Sequence, residues 1–370
     1  MTTRVPINPD VLTWARDELG MSLDDVGRAA NVPIERVQAW ESGDQQPTLV
    51  QLRKIASRLG QTVASFLLPT VPAHTTQPPD FRSRADEPMS VPLRRAIRDA
   101  ERRRQYYLDL VEDVEPFYRP AADLSLEAAA AGLRERMGIS ADQQAAWSGT
   151  ADARKYWVRA VESLGVLVQH MSGVDVTECR GFSLDFDQLP VIVLNGRDSD
   201  AGRMFTLMHE LAHLARDTAG VCSVFSNVAD ERQCNRLAAT ILMPEETVRR
   251  IHDESESPDQ ACRRVARQLR VSTTAAAIRL VELRLADQSL VTAMRTEADE
   301  AVAEIRARQR ESDGGPAPWR VKLRNLGEPY SAAVLQALSD ERITYPDAVR
   351  LMGAKLRMID QISAGLSESA

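Results

Sequence analysis

A mainly helical α+β protein with one small mixed sheet is predicted by three observations. Aromatic residues make up only 5% of the 370 residues, and long stretches rich in Ala, Arg, Leu and Glu repeat their apolar positions every 3.6 residues. The β-prone runs are short and gathered in one place: Val166 to Gln169, Arg180 to Leu184 and Val191 to Leu194, each bounded by Gly, Asp or Pro. Two breaks then divide the chain into regions of about 1–70, 71–310 and 311–370. The first is a Pro-rich linker, Pro69 to Pro92, with Pro72, Pro78, Pro79 and Pro88 among Thr, Ser and Asp. The second, Glu311 to Pro318, joins flexible glycines to helix-breaking prolines.

Composition removes several classes of function. With 44% hydrophobic and 27% charged residues, the chain is too apolar for a disordered polymer and too long for one ordinary core. No apolar run approaches the roughly 18 residues that span a bilayer, and the first residues lack a signal-peptide core, so a cytoplasmic protein with no membrane partner is expected. Lys+Arg 46 against Asp+Glu 53 gives a net charge of −7, so any nucleic-acid contact must be local. Cys179, Cys222, Cys234 and Cys262 contain no C-x-x-C pair. That excludes both a disulfide framework and a thiolate zinc knuckle, and leaves the cysteines as small buried apolar residues.

The first seventy residues punctuate themselves as helices. Asn8-Pro9 opens one, with Leu12, Ala15 and Leu19 on a face that ends at Gly20. Ser22 caps a second that ends near Ala30, and Ile34 to Trp40 follows Pro33. Pro47-Thr48 opens a fourth, carrying Leu49, Leu52, Ile55 and Leu59. This order is helix-turn-helix grammar, and with Ala15-Arg16, Ser22-Leu23, Val32, Val37, Trp40-Glu41-x-Gly43 and Pro47-Thr48 it resembles the five-helix XRE-type (Cro/CI-like) repressor domains. The resemblance implies that Pro33 to Trp40 is a recognition helix presenting Glu35, Arg36 and Gln38 to a major groove. Seven cations against eight acids give this region a net charge of −1, whereas a duplex reader usually carries a basic face. Double-stranded DNA therefore stands beside docking or homodimer formation as its task.

The middle region carries Met204 to Ala215 with the pattern His209-Glu210-Leu-Ala-His213 and no Pro or Gly within it. Four-residue spacing sets both imidazoles one turn apart on one helix face. Both then reach a single Zn²⁺, and Glu210 reaches a water held there. The plain alternative is an amphipathic helix whose polar stripe, Thr206, His209, Glu210, His213, Arg216 and Asp217, faces solvent. A third ligand decides between them, because catalytic zinc sites use three protein ligands and an open position. Arg216 and Ala219 stand where an extended motif would place Gly and a third His, so an acid on a later helix is required. Ser226-Asn227 caps a helix from about Val228 to Met243, stopped by Pro244. Glu231 lies at the edge of its apolar face, where a carboxylate costs several kcal/mol unless it is paired. Asp230 is explained by the helix dipole. Asn235, four residues after Glu231, is placed to orient a ligand histidine through its free ring nitrogen.

Phe205-Thr-x-x-His209-Glu-Leu-Ala-His213, followed by Glu231-x-x-Cys-Asn235-x-Leu-Ala-Ala-x-Ile-Leu-Met-Pro244, resembles the ImmA/IrrE family of metallopeptidases. Arg180-Gly-Phe-Ser and Pro190 to Asn195 are similar too, over roughly 160–285, with a weaker likeness at 79–82. The resemblance implies a zincin-like domain with zinc on His209, His213 and Glu231, and Glu210 as the acid–base catalyst. It also implies cleavage of an XRE-type repressor that frees stress, DNA-damage or mobile-element genes. Cys234 stands where the family has Ala. The oxyanion donor is not identified; His170, at a strand end, is weighed for it against a structural role.

Beyond the motif, residues 257–290 read as two helical stripes around Arg270-Val-Ser272, with six arginines against three acids. A solvated face is the plain reading of that excess, a nucleic-acid or acidic-protein contact the other. The region 311–370 continues with amphipathic helices carrying Val334, Leu335 and Leu338, then Val349, Leu351, Met352 and Leu356, whose role the residues do not specify. Two functions are thus expected to compete: a zinc endopeptidase with a fused repressor-like domain, and a DNA-binding regulator or antitoxin that keeps the peptidase domain as a non-catalytic scaffold.

Overall fold

The computed structural model describes residues 3–72, 89–216, 228–253, 255–309 and 316–367. Most of the Pro-rich linker, the likeness at 79–82, Asp217, Ala219, Cys222, the Ser226-Asn227 cap and the 310–315 part of the second break lie outside the described residues. The chain forms two compact units, Met1–Asp99 and Ala100–Ala370.

In the first unit, α1 (Pro9–Glu18), α2 (Leu23–Ala30), α3 (Ile34–Glu41) and α4 (Leu49–Leu59) precede a 3-10 turn, Ala64–Leu67, and α5 (Val91–Leu110) begins. The expected punctuation is realised. The Asn8 side chain accepts from the Asp10 amide with Pro9 in the first turn, and Ser22 and Thr48 complete capping boxes with Asp25 and Gln51. Such caps each stabilise a helix by about 1 kcal/mol. Val11, Leu12, Val26, Val37, Trp40, Leu52 and Ile55 fill the core. The fifth helical element is the 3-10 turn, whose Phe66 is fully buried against them.

The second unit continues from α5 with α6 (Leu126–Arg136), α7 (Ala141–Ala146), α8 (Thr150–Glu162), β1 (Leu167–Met171), β2 (Gly181–Leu184) and β3 (Val191–Asn195). The strands stand in the order β1-β3-β2. β1 runs parallel to β3 with Leu167 opposite Val191, and β2 runs antiparallel with Phe182 opposite Val193. Every strand residue is buried, which is why these runs are mostly apolar on both faces rather than alternating, and why their polar members Gln169, His170, Ser183 and Asn195 need partners inside the protein. α9 (Asp200–Ala215) lies on β2 and β3, and α10 (Val228–Leu242) packs on α9 and α6. α11 (Glu245–Ile251), α12 (Pro258–Leu269), α13 (Thr273–Glu282) and α14 (Gln288–Gln309) follow, then α15 (Pro318–Leu326), α16 (Glu328–Ser339), α17 (Tyr345–Met352) and α18 (Leu356–Ser367). α15 packs on β1, α16 and α18 pack on α15, and α17 packs against α16 and α18.

Gly181 sets the distance between β2 and α9. A Cβ there would lie 2.5 Å from Thr206 Cγ2 and 2.9 Å from the Val193 carbonyl oxygen. Neither neighbour moves without displacing an element. Gly181→Ala is therefore expected to cost about 1–3 kcal/mol, measured as a lower denaturant midpoint with an unchanged slope; an unaltered midpoint would contradict this packing.

The far end of α10 is buried, so its last carbonyls need protein donors. Arg134 Nη1 donates to the Ile241 carbonyl at 2.7 Å, Gln144 Nε2 to that of Leu242 at 2.9 Å, and Arg279 Nε to that of Met243 at 3.1 Å. Burial holds the Arg134 guanidinium down to about 10, and the negative end of the helix dipole favours the cation there. The arginines of 257–290 divide between surface and interior: Arg263, Arg267 and Arg284 are exposed, as a solvated face requires, Arg264 and Arg270 are half-buried, and Arg279 alone is buried. Arg279 is 5% exposed, Arg263 pairs with Glu297 at 2.6 Å, Arg264 with Glu256 at 2.9 Å, and Arg270 donates to the Ala145 carbonyl.

Candidate metal centre

α9 forms where the sequence places it, with Ser199 accepting from the Gly202 amide as its cap. The solvent-facing stripe of the plain amphipathic reading does not materialise. Thr206 is 7% exposed, Glu210 2% and His213 0%, so polar groups are buried on the helix face that reading gives to water. Buried polar groups need partners, and those partners define the site.

His209, His213 and Glu231 offer ligand atoms that all lie within 4.8 Å of one another. The two Nε2 atoms are 3.2 Å apart. Glu231 Oε2 is 3.3 Å from His209 Nε2, and Oε1 is 3.6 Å from His213 Nε2. Neighbouring ligands on a tetrahedral zinc, at about 2.0–2.1 Å from the ion, stand about 3.3 Å apart. His209 Nδ1 faces Asn235 Oδ1 at 3.0 Å, which makes Nδ1 the protonated nitrogen and leaves Nε2 a lone pair. That lone pair points at a carboxylate oxygen and at a second imidazole nitrogen, an arrangement that calls for a proton or a metal cation between them. The donor set therefore fits a divalent ion with affinity for imidazole and carboxylate.

The electrostatics point the same way. Burial disfavours a charged His209, yet the hydrogen bond with Glu231 and the charges of Glu210 and Glu231 outweigh it, so the imidazole is held above its ordinary value. The site draws positive charge, as a proton when nothing else is available. Phe205 lies beside the His209 ring, centroids 6.5 Å apart. Cys234, one turn after Glu231, is fully buried in the core. Cys179 and Cys262 are buried as well, and burial pushes their thiols up to about 12 and about 11.

Glu210 projects from α9 towards the sheet, where Ser183 Oγ donates to its Oε2 at 2.9 Å. Ser183 is the member of this constellation that the sequence reading passed over. Its signal was a hydroxyl in a strand with no solvent-facing position, which demands a buried acceptor. His170, by contrast, belongs elsewhere. It is 5% exposed, its Nδ1 donates to the Arg324 carbonyl at 3.1 Å, and it lies by Arg203, six residues before His209.

Asn235→Ala should weaken metal affinity by roughly 10- to 100-fold without unfolding the protein. Titration against a competing chelator reads this; an unchanged affinity would remove Asn235 from its orienting role.

In the first unit, Glu35, Arg36 and Gln38 are all exposed on α3, while Val37 and Trp40 point inward. Arg36 Nη1 is braced at 2.7 Å by Gln45 Oε1. The net charge of −1 over residues 1–70 conceals a basic patch, because four of the eight acids gather on two arginines: Glu41 and Asp17 with Arg16, Asp24 and Asp25 with Arg28. Arg53, Lys54, Ser57, Arg58, Arg95 and Ala29 line an open cleft of about 540 Å³ with no carboxylate among them.

A pair of imidazoles, His213 buried and His209 half-buried, with a carboxylate beside them on helices laid over a small sheet, is the arrangement of a metallopeptidase type of domain, and the capped helices before it are that of a DNA-binding type. Residues 161–281 match a peptidase family model described as the IrrE N-terminal-like domain, and residues 12–66 match a helix-turn-helix model. The chain accordingly carries an ImmA/IrrE-type domain behind an N-terminal XRE-type helix-turn-helix. A comparison with curated proteins finds no match to it. Among the described residues, no helix is long and apolar enough to cross a membrane.

Proposed function

We propose that this protein is a zinc-dependent endopeptidase that cleaves an XRE-type repressor and so relieves repression in a stress or mobile-element response. The observation that carries the reading is the convergence of His209 Nε2, His213 Nε2 and a Glu231 carboxylate oxygen beside a buried Glu210. Zinc held by these three residues would supply a Lewis acid that lowers the pKa of water and polarises a peptide carbonyl. Glu210 then takes the proton released by the attacking water and returns one to the departing amine. Ser183 holds the Glu210 carboxylate against rotation, and Asn235 fixes the His209 tautomer. Burial around Glu210 excludes bulk water that would compete for the proton.

The helix-turn-helix in this reading brings the peptidase to its substrate or to the operator on which that substrate sits. Arg36 and Gln38 suit bidentate contacts to base edges, with Glu35 beside them, and the basic cleft on α4 suits phosphates. Arg36→Ala should weaken duplex binding by roughly 5- to 100-fold and flatten its salt dependence. An unchanged affinity and slope in a salt series would remove α3 as the reading helix.

The exposed α3 face also favours a second reading, a DNA-binding regulator or antitoxin with a non-catalytic peptidase domain. Metal analysis of the purified chain, together with co-expression of a candidate repressor with wild type and with Glu210→Gln, separates the two. One zinc per chain and cleavage by wild type alone is the expected result. Equal repressor levels in both strains would overturn the enzymatic reading.

A further inference from the structure

A second buried polar cluster lies outside the metal centre, where four elements meet at the N-terminal end of α9. Arg154 from α8 and Arg203 from α9 share one acceptor, Asp200 Oδ1, at 2.8 Å and 2.5 Å. Arg324 from α15 lies over Gly196, where its Nη1 reaches the Gly196 carbonyl at 3.4 Å and its Nε and Nη2 reach the neighbouring Asn325 Oδ1. His170 from β1 completes the group. Among the described residues, Asp200 is the one carboxylate ion-paired to any of the three guanidiniums. Asp198, whose carboxylate lies against Gly202, faces Arg180 Nη1 at 3.5 Å.

Three donor or acceptor atoms remain buried without a partner: Arg203 Nε, Arg203 Nη1 and His170 Nε2. Arg203 is 8% exposed and His170 5%. Water satisfies hydrogen bonds, but it does not offset three cations facing one carboxylate in a desolvated place. Burial and the three nearby guanidiniums hold His170 neutral, well below its ordinary value. Since His170 Nδ1 donates to the Arg324 carbonyl, Nε2 presents a lone pair, which accepts a proton donor and repels a bare anionic oxygen. The missing partner must therefore be anionic towards Arg203 and hydrogen-bearing towards His170.

We propose that His170, Arg154, Arg203 and Arg324 form a binding site for hydrogen phosphate, with an anionic oxygen accepting from Arg203 and the P–OH donating to His170 Nε2. The site is independent of the peptidase reading. Because Arg324 belongs to α15 and Arg203 to the helix that carries His209, phosphate there ties the C-terminal helices to the first turn of α9.

Thermal melting of the full chain at pH 7 and constant ionic strength tests this. Inorganic phosphate at about 10 mM should raise the melting temperature saturably by about 4 °C. Sulfate, which carries no proton at that pH, should raise it by less than half as much. The phosphate shift should vanish in Arg203→Gln and, since that variant risks misfolding, also in Arg324→Gln, whose side chain is only partly buried. Equal shifts for phosphate and sulfate, no shift at all, or a phosphate shift that persists in a folded variant would overturn the site. A larger shift with glycerol phosphate than with inorganic phosphate would overturn the assignment to the free ion and identify a phosphate monoester. Each of these outcomes is read without peptidase activity, so failure of this proposal is distinguishable from failure of the enzymatic one.

Discussion

Glu210→Gln is expected to leave the chain folded and able to take up one zinc, yet to lower the rate of the proposed repressor cleavage by roughly 10²- to 10⁴-fold, the usual worth of a positioned general acid–base group. Gln keeps the shape of the side chain and an oxygen that still accepts from Ser183 Oγ, so the local packing survives. What it loses is the ability to hold a proton in transit. Single-turnover cleavage with a purified repressor reads the rate, and metal content measured on the same sample shows that the centre is intact. Ser183→Ala tests the support from the other side: a rate loss smaller than that of Glu210→Gln, with metal content unaltered, is the expected pattern. Cleavage by Glu210→Gln at the wild-type rate would mean that the buried carboxylate serves the fold alone.

Glu231→Ala acts on the metal instead. Removing one of the three proposed protein ligands should weaken zinc binding by more than the 10- to 100-fold expected for an outer-shell partner, and the proposed cleavage should disappear unless zinc is supplied in excess. The pH dependence has a definite sign. The Glu231 and Glu210 charges raise the His209 pKa, and only the neutral imidazole ligates. Zinc affinity is therefore full above that raised value and falls as pH drops through it. Competition titrations over a range of pH measure both effects; an affinity for Glu231→Ala equal to wild type would exclude this carboxylate as a ligand.

What the sequence reveals about this molecule is what depends on short-range spacing. The caps at Asn8, Ser22 and Thr48, the three strands, and the face shared by His209 and His213 all follow from residues within one or two turns of each other. Even the pairing of Asn235 with His209 is legible, because four-residue spacing puts Asn235 beside Glu231 on the same helix. Contacts made across the fold are a different matter. Ser183 reaches Glu210 only because Gly181 lets a strand approach α9 closely, and nothing in either local sequence states that approach. Charge counts mislead for the same reason: Arg279 reads as one more surface cation in 257–290, yet it ends up capping the last turn of another helix. In residues 1–70, counting gives a net of −1, yet Asp17, Asp24, Asp25 and Glu41 gather on Arg16 and Arg28 and leave a basic cleft along α4.

The clasp on the distal turn of α10 makes that helix asymmetric. Arg134, Gln144 and Arg279 arrive from three separate elements and hold its C-terminal carbonyls through bonds that use none of the metal-site residues, whereas Glu231, the residue that would tie it to the metal, sits in its first turn. Stripping the metal should thus fray the helix from Val228 inward and spare the stretch towards Leu242. Amide exchange on the apoprotein would show a gradient of protection along a single helix, steep at one end and flat at the other.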